Sequence, residues 1–154
     1  MESNEREYMR EVFQNQLSDV QGRLVEMAES VTTIMDKAST AFLKSDVALA
    51  DEAIALAEAN ENRALALDEI VIRVLAKQSP VARDLRILVS ALRISASLER
   101  MGALAGHIAA IARYRYPGTA VPETLRDTFL EMGRLDVELG RRVTTLLKNT
   151  DVNL

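Results

Sequence analysis

The chain has no cysteine, no tryptophan and a single histidine, and these absences exclude several kinds of site. Without cysteine there is no disulfide, no thiolate metal site and no cysteine nucleophile, and one histidine cannot build a multi-histidine zinc site. A nucleic-acid surface needs basic patches and stacking aromatic rings. The chain has a net charge of -4 and only three phenylalanines and three tyrosines, which argues against such a surface. We therefore expect no nucleic-acid partner.

Sequence motifs of enzymes are missing as well. The chain has no glycine-rich phosphate loop and no serine nucleophile elbow. A carboxylate-bridged di-metal oxidase or metal store needs paired Glu-x-x-His motifs, but the residue three before His107, the only histidine, is Leu104. Neither a signal peptide nor a run of about 20 apolar residues is found. These absences predict a cytoplasmic protein that is not an enzyme.

Proline and glycine are scarce, and long stretches with helical apolar periodicity lie between the few that occur. Apolar residues spaced by three and four positions favour α-helices, because such residues share one side of a helix. Short breaks divide this pattern into four segments. The sequence predicts an all-α fold with helices near residues 6–43, 46–78, 80–115 and 122–149.

The residues at the breaks indicate where the helices begin. Ser45 or Asp46 is placed to accept hydrogen bonds from the free N–H groups that open the second helix. We expect Ser79 to cap the third helix, with Pro80 in its first turn, where a missing N–H has no consequence. A Tyr-Pro-Gly segment closes the third helix, and the last proline opens the fourth.

The first three helices carry enough apolar periodicity to form a bundle with one shared core. The third helix has two apolar seams side by side, which predicts two helix neighbours, as in an antiparallel three-helix bundle. We expect six residues of these helices to be buried in the core: Leu24, Val31, Leu67, Val71, Leu88 and Leu98.

The second seam of the third helix becomes small and polar from Ser95 onward, where it continues with Glu99, Gly102 and Gly106. Each glycine weakens a helix by ~1 kcal/mol relative to alanine, so a pair spaced by four residues needs a reason. Two reasons are open: another helix approaches closely, or a ligand does. For Glu99 the alternatives are an ion pair or cap with a neighbouring helix, and a part in binding a ligand or metal.

A basic stripe lies opposite both seams of the third helix. Arg86, Arg93, Arg100 and His107 recur every seven residues, about half a turn from the apolar faces, and are expected to face water. Such a stripe is either a solvated surface or a docking surface for an acidic partner or an anionic membrane face. We take these four residues as candidate partner-binding residues.

The end of the chain repeats an earlier segment. Residues 39–49, STAFLKSDVAL, return at 143–154 as VTTLLKNTDVNL with one extra residue, which aligns Asp151 with Asp46. A repeat of about a hundred residues indicates that the fourth helix corresponds to the first. We therefore divide the chain into a three-helix bundle, 1–118, and the opening helix of an incomplete second bundle, 119–154.

The fourth helix has an apolar stripe that further helices of a second bundle would normally cover. Its members are Leu125, Phe129, Met132, Leu139, Val143 and Leu146. Exposed apolar surface is unfavourable by about 25 cal/mol per Å², and a two-fold axis can bring the same stripe from a second chain. We expect a homodimer or higher oligomer in which residues 122–149 form much of the interface.

The most specific motif of the chain is KQSPVARDLR at 77–86, followed by ISASLERMG at 94–102. Together with LVEMAESVTTIMDKASTAFLKSD at 24–46 and VPETLRDTFLEMGRL at 121–135, it makes nearly the whole chain resemble the PhoU family of phosphate-signalling regulators. The resemblance implies tandem three-helix bundles and a cytoplasmic, non-enzymatic adaptor. Such an adaptor couples a phosphate-importing ABC transporter, through its ATPase subunit, to a sensor histidine kinase. It restrains phosphate-starvation signalling when phosphate is plentiful.

The chain departs from the family at one motif. Many members have two acidic residues four positions apart on the third helix, associated with iron or zinc on the bundle surface. Here Glu99 matches the first acid, and Ala103 stands in place of the second. One carboxylate with a distant histidine is a poor metal site, so we expect no metal cofactor. The alternative to the adaptor is a self-associating helical interaction module without a role in phosphate signalling.

Overall fold

A computed structural model describes residues 1–149 of the chain. The four α-helices of this region are α1 (Glu2–Lys44), α2 (Val47–Gln78), α3 (Ala82–Arg115) and α4 (Arg126–Asn149), and one turn of 3-10 helix, Glu123–Leu125, precedes α4. The predicted all-α fold is confirmed. None of these helices combines the length and apolar character needed to cross a membrane. The final part of the proposed repeat, including Asp151, lies outside the described residues.

The turn between α1 and α2 is capped by one of the two predicted residues. The carboxylate of Asp46 accepts a hydrogen bond from the N–H of Leu49 at 3.0 Å, which satisfies a free donor in the first turn of α2. Ser45 instead ends α1, because its backbone is left-handed, with φ 54°, and its N–H donates to the carbonyl of Ala41. Asp46 is therefore the cap.

The predicted cap of α3 is wrong. Ser79 ends α2: its φ is 42°, and its N–H donates to the carbonyl of Leu75 at 3.2 Å. Pro80 disfavours a right-handed helical backbone at the residue before it, so the helix stops there. Helix α3 begins only at Ala82, and the residue before it, Val81, provides no side-chain cap. The serine therefore closes one helix instead of opening the next.

Helices α1, α2 and α3 form the antiparallel bundle that the apolar seams predict. All six residues expected in the core are buried, and none is more than 6% exposed. The buried apolar residues make two clusters, one around Met27 and Leu67 and a second, rich in alanine, around Ile34 and Ala109. Because α3 contributes to both clusters, it is held against both neighbouring helices along its length.

A polar layer lies between the two apolar clusters. Asn60 of α2 is fully buried, and its Nδ2 donates to the carbonyl of Leu98 at 3.3 Å. A Cβ built on Gly102 would lie 2.7 Å from the same Nδ2, and one built on Gly106 would lie 3.0 Å from the Cβ of Ala57. The two glycines therefore permit the close approach of α2, which is the first of the two reasons considered for them.

Helix α4 runs antiparallel to α1 and, among the described α-helices, contacts α1 alone. Hydrogen bonds hold both ends: Gln21 Nε2 donates to the carbonyl of Leu147 at 2.9 Å, and Arg126 Nη1 donates to the carbonyl of Leu43 at 2.8 Å. The buried residues of α4 are Gly133, Val137, Gly140, Thr144 and Leu147. This row is defined here as the glycine seam of α4.

The glycine seam brings the backbones of α1 and α4 close together. A Cβ on Gly140 would lie 2.5 Å from Thr32 Oγ1, and one on Gly133 would lie 2.8 Å from the Cβ of Ser39. Apolar periodicity does not predict this seam, because glycine and threonine do not contribute to an apolar pattern.

The apolar stripe predicted for α4 lies beside the glycine seam and is mostly exposed. Phe129 and Val143 are half-buried, and Phe129 packs edge-on against Phe42 with ring centroids 5.4 Å apart. The other four members of the stripe are exposed: Leu125, Met132, Leu139 and Leu146. Periodicity therefore identified a real stripe, but one that a single neighbouring helix leaves largely uncovered.

Candidate partner-binding surface on α3

The four candidate partner-binding residues lie on the solvent side of α3. Arg86, Arg93, Arg100 and His107 are all exposed, whereas Leu98, on the opposite side, is buried. Seven residues of α-helix rise about 10.5 Å, so the four residues form a row about 32 Å long. The predicted exposure is confirmed, and a role of the row in binding stays a prediction.

The three arginines of the row have no ion-pair partner among the described residues. Within residues 1–149, Arg86, Arg93 and Arg100 form no ion pair, whereas Arg113, farther along α3, lies 3.4 Å from Asp51. A guanidinium without a partner in its own chain keeps its five N–H donors for water or for another molecule. Docking at the row would therefore not require breaking an ion pair first.

The geometry of the row suits an acidic protein surface. A guanidinium binds a carboxylate through two parallel N–H···O bonds, which adds directionality to the charge attraction. Arginines about 10.5 Å apart match carboxylates spaced by seven residues on a partner helix. Because the whole chain has a net charge of -4, a local row of positive charge also gives an acidic partner a preferred direction of approach.

Two exposed apolar residues continue the line of the row toward the C-terminal end of α3. Leu104 and Ile111 follow Arg93 by eleven and eighteen positions, which returns a side chain to the same side of a helix. Both are about half exposed. These two residues were not predicted from the sequence, although their spacing from Arg93 indicates that they share its side of the helix. The face is therefore basic in its first part and partly apolar in its second.

Glu99 lies at the flank of the contact between α2 and α3. Its side chain is half-buried, and neither the ion pair nor the helix cap considered as one alternative for it occurs within residues 1–149. In the same residues no three side chains of His, Asp or Glu come together as metal ligands do. Ala103 is exposed and supplies no ligand, so Glu99 offers at most two oxygens, fewer than a hard cation needs. The residues do not fit a metal cluster.

A metal-free protein stays a prediction that elemental analysis can check. Protein purified without chelator should contain iron and zinc well below one equivalent per chain. Near-stoichiometric metal that is lost in Glu99→Gln, but kept in a control with Glu69→Gln on the exposed side of α2, would contradict the prediction. It would mean that groups from elsewhere complete the coordination shell.

The described part of the chain is thus an all-α bundle with an exposed basic row on its third helix. Residues 24–112, all within α1, α2 and α3, match the PhoU domain family. The chain is 41% identical over 143 residues to the "Phosphate-specific transport system accessory protein PhoU homolog 2" of Mycobacterium bovis. The aligned region covers 93% of this chain and 67% of that protein. The chain belongs to the PhoU domain family.

Other relatives extend the comparison. The PhoU homolog 1 of Mycobacterium leprae is 39% identical over 93% of this chain and 64% of its own length. The PhoU homolog of Pseudomonas putida is 28% identical over 90% of this chain and 60% of its own length. The chain thus spans about two thirds of the length of these relatives. No solved structure gives a significant match.

Proposed function

We propose that the protein is a cytoplasmic accessory protein of a phosphate-specific transport system and that it modulates phosphate uptake. The observation that carries this proposal is the similarity, over 93% of the chain, to proteins named as accessory proteins of such systems. The exposed basic row on α3 supports the proposal, because arginines without a partner in their own chain can bind an acidic protein surface.

The specific role proposed is that of an adaptor. The protein couples the transporter, through its ATPase subunit, to a sensor histidine kinase, and it restrains phosphate-starvation signalling when phosphate is plentiful. It reaches the membrane only through these complexes. The docking surface is the row of Arg86, Arg93, Arg100 and His107, whose unpaired guanidinium groups support contact with an acidic protein surface. Binding through exposed charges weakens as salt rises, since such charges are screened over about 10 Å at 0.1 M.

Charge reversal on α3 tests the docking row. Arg93→Glu combined with Arg100→Glu should weaken binding to the ATPase subunit or the kinase by on the order of tenfold, because attraction becomes repulsion. Helicity should be unchanged, since both side chains are exposed. The matched control is Arg63→Glu with Arg73→Glu, which changes the net charge equally at two exposed positions of α2.

The outcomes of this experiment are distinct. Weaker binding with the α3 pair alone supports the row as the docking surface, and equal weakening with both pairs indicates an effect of net charge. Unchanged binding with the α3 pair would make the row a solvated surface.

The alternative function is a self-associating helical module without a role in phosphate signalling. Deleting the gene should switch on phosphate-starvation genes while phosphate is plentiful, and restoring the chain should silence them again. If the deletion leaves those genes unchanged and a pull-down recovers neither the ATPase subunit nor the kinase, the alternative replaces the adaptor.

A further inference from the structure

Helix α3 has one open side within the described residues. It packs on α1 and α2 but makes no contact with α4, the helix that the sequence repeat assigns to a second bundle. The docking row lies on this open side, and Leu104 and Ile111, which are 50% and 48% exposed, continue the line of Arg93. This side of the helix is called here the open face of α3.

The first part of the open face is basic in a chain that is acidic overall. Helix α3 contains six arginines and two acids, a net charge of +4, against -4 for the whole chain. Both acids, Asp84 and Glu99, are half-buried and lie on the sides toward the neighbouring helices. Among residues 1–149, no ion pair engages Arg86, Arg93 or Arg100. The positive charge of this part is therefore left for water or another molecule.

Short side chains flank the arginines of the docking row on both sides. Ser90 and Ser97 lie four residues after an arginine of the row, and Ala96 and Ala103 lie three residues after one. All four are exposed. Residues three and four positions apart are neighbours on a helix surface, so these small residues leave room beside each arginine stem. The side chains of a second helix can pack into such room, as ridges do into grooves.

The second part of the open face is aliphatic instead of basic. Between Arg100 and Arg113 the helix contains no acid, arginine or lysine. The exposed aliphatic residues there that share the line of the docking row are Leu104 and Ile111. These two residues are seven positions apart, which is about 10.5 Å along the helix. A partner that offers only carboxylates would leave this part of the face in water.

We propose that a single amphipathic α-helix of an acidic partner protein lies along the open face, with carboxylates against the arginines and aliphatic side chains against Leu104 and Ile111. The inference rests on the proposed function, because it specifies which part of a partner binds at the docking row. Each guanidinium then forms paired bonds with a carboxylate, and the aliphatic end adds buried apolar area. An amphipathic helix on a helical surface is a common mode of peptide recognition.

The spacing on α3 defines the pattern of the partner helix. Three acids at seven-residue intervals match Arg86, Arg93 and Arg100, and two aliphatic residues, four and eleven positions beyond the last acid, match Leu104 and Ile111. In a helix that runs in the opposite direction, the same intervals occur in reverse order. Both versions have all five side chains on one side of the helix.

An anionic membrane suits the open face less well. Helices that lie on membranes have a wide apolar side, with basic residues on the polar side. The open face instead has arginines along its centre with serine and alanine beside them, and its aliphatic pair lies at one end. A narrow face of this kind matches one helix better than it matches a lipid surface.

Substitution of the aliphatic pair tests the inference on the ATPase subunit and the kinase. Leu104→Ser with Ile111→Ser should weaken binding at least tenfold without changing the far-UV circular dichroism. The salt dependence of binding should stay as in wild type, because every arginine remains, whereas charge reversal in the docking row should reduce it. The control, Leu65→Ser with Ile72→Ser, removes two exposed aliphatic residues of α2 and should leave binding unchanged.

Synthetic helical peptides provide a test that does not depend on either partner protein. One peptide carries three glutamates and two leucines at the intervals defined above, and a second carries them in reverse order. Each is compared with a peptide of the same composition whose leucines lie on the opposite side of the helix. One of the two ordered peptides should bind the wild-type chain at least tenfold more tightly than its matched peptide, and Leu104→Ser with Ile111→Ser should remove that difference.

The results separate this inference from the proposed function. If the ATPase subunit or the kinase binds and substitution of the aliphatic pair has no effect, the docking row acts by charge alone and the inference is overturned. If neither protein binds, the adaptor role is wrong and the peptides decide the inference, which is overturned when neither ordered peptide is preferred. Vesicles of phosphatidylglycerol are the membrane probe. If the chain binds them through Leu104 and Ile111 while no peptide is preferred, the open face is a membrane surface and the inference is overturned.

Discussion

Helices α3 and α4 both approach a neighbour through two glycines, but only α3 is enclosed by other helices. Gly102 and Gly106 lie against α2, and α3 also packs on α1. Gly133 and Gly140 lie against α1, and α4 has no second α-helix beside it in the described region. A helix that is apolar on two sides needs two neighbours to bury them. Within residues 1–149 α3 has both, whereas α4 has one, so Met132, Leu139 and Leu146 on its other side are exposed there.

The chemistry of the two glycine contacts also differs. A Cβ on Gly102 would meet the fully buried Asn60 and the apolar Ile34. The glycine seam of α4 instead faces hydroxyl groups, and Thr32 Oγ1 already donates to the carbonyl of Ala28 at 2.8 Å. At Gly133 and Gly140 themselves the contact therefore depends on close fit, while Val137 and Leu147 supply the buried apolar side chains of the seam. We expect α4 to separate from α1 more readily than α3 separates from the bundle.

Truncating one leucine in each helix should show the largest difference. Leu98 of α3 is 2% exposed, so Leu98→Ala should lower the free energy of unfolding by ~2–5 kcal/mol, through lost burial and the cavity left behind. The exposed Leu139 of α4 should tolerate the same change to within about 0.5 kcal/mol when the chain is monomeric. Denaturant melts at low protein concentration measure both. A loss below about 0.5 kcal/mol for Leu98→Ala would place the core on the other side of α3.

The seams of the bundle were predictable because burial there follows apolar periodicity. Leu67 and Leu88, like the other core residues expected, repeat at helical spacing and are fully buried. The glycine seam of α4 was not predictable in this way, since periodicity favours the most apolar side of a helix and that side carries the exposed Met132, Leu139 and Leu146. The role of Ser79 was also missed, because a serine before proline suits either end of a helix until the backbone φ is known.

For the basic row on α3, the sequence was sufficient to predict that the arginines are exposed, but not that they lack ion pairs. The seven-residue spacing of Arg86, Arg93 and Arg100 places them opposite the seams, and they are exposed as expected. Their lack of acidic partners depends on which carboxylates α2 brings near α3, and that is a property of packing. Sequence spacing alone does not distinguish such an arginine from Arg113, which does have a partner in Asp51.

Filling the space beside Gly102 should lower the free energy of unfolding by less than Leu98→Ala does. The loss should still affect the whole three-helix bundle. In Gly102→Ala the new methyl group would be forced against Asn60, whose hydrogen bond to the Leu98 carbonyl limits its movement. Overpacking of this kind destabilises by ~1–3 kcal/mol. The control is Gly22→Ala on α1, where an added Cβ meets nothing within 4 Å, so helix propensity should stabilise the chain by up to ~1 kcal/mol. Equal stabilisation by both changes would show that α2 does not approach α3 closely at Gly102.

The corresponding change in α4 should have the smallest effect on global stability and be confined to that helix. In Gly140→Ala the added Cβ would lie 2.5 Å from Thr32 Oγ1 and 3.4 Å from Thr32 Cα, so rotating one side chain cannot relieve the clash and α4 must move away from α1. Because α4 contacts α1 alone among the α-helices of residues 1–149, the three-helix bundle can remain folded. Amide hydrogen exchange should accelerate on the order of tenfold in α4 while α2 and α3 are unchanged.

A second substitution makes this last experiment decisive. Thr32→Ala removes the atom that the new methyl group would strike first, so the double variant Gly140→Ala with Thr32→Ala should regain part of the protection in α4. Thr32→Ala alone should leave α4 protected, because that hydroxyl donates only to the carbonyl of Ala28 in its own helix. If exchange in Gly140→Ala instead accelerates equally across α2, α3 and α4, then α4 unfolds together with the bundle. The two helices would then differ in their neighbours but not in how firmly they are held.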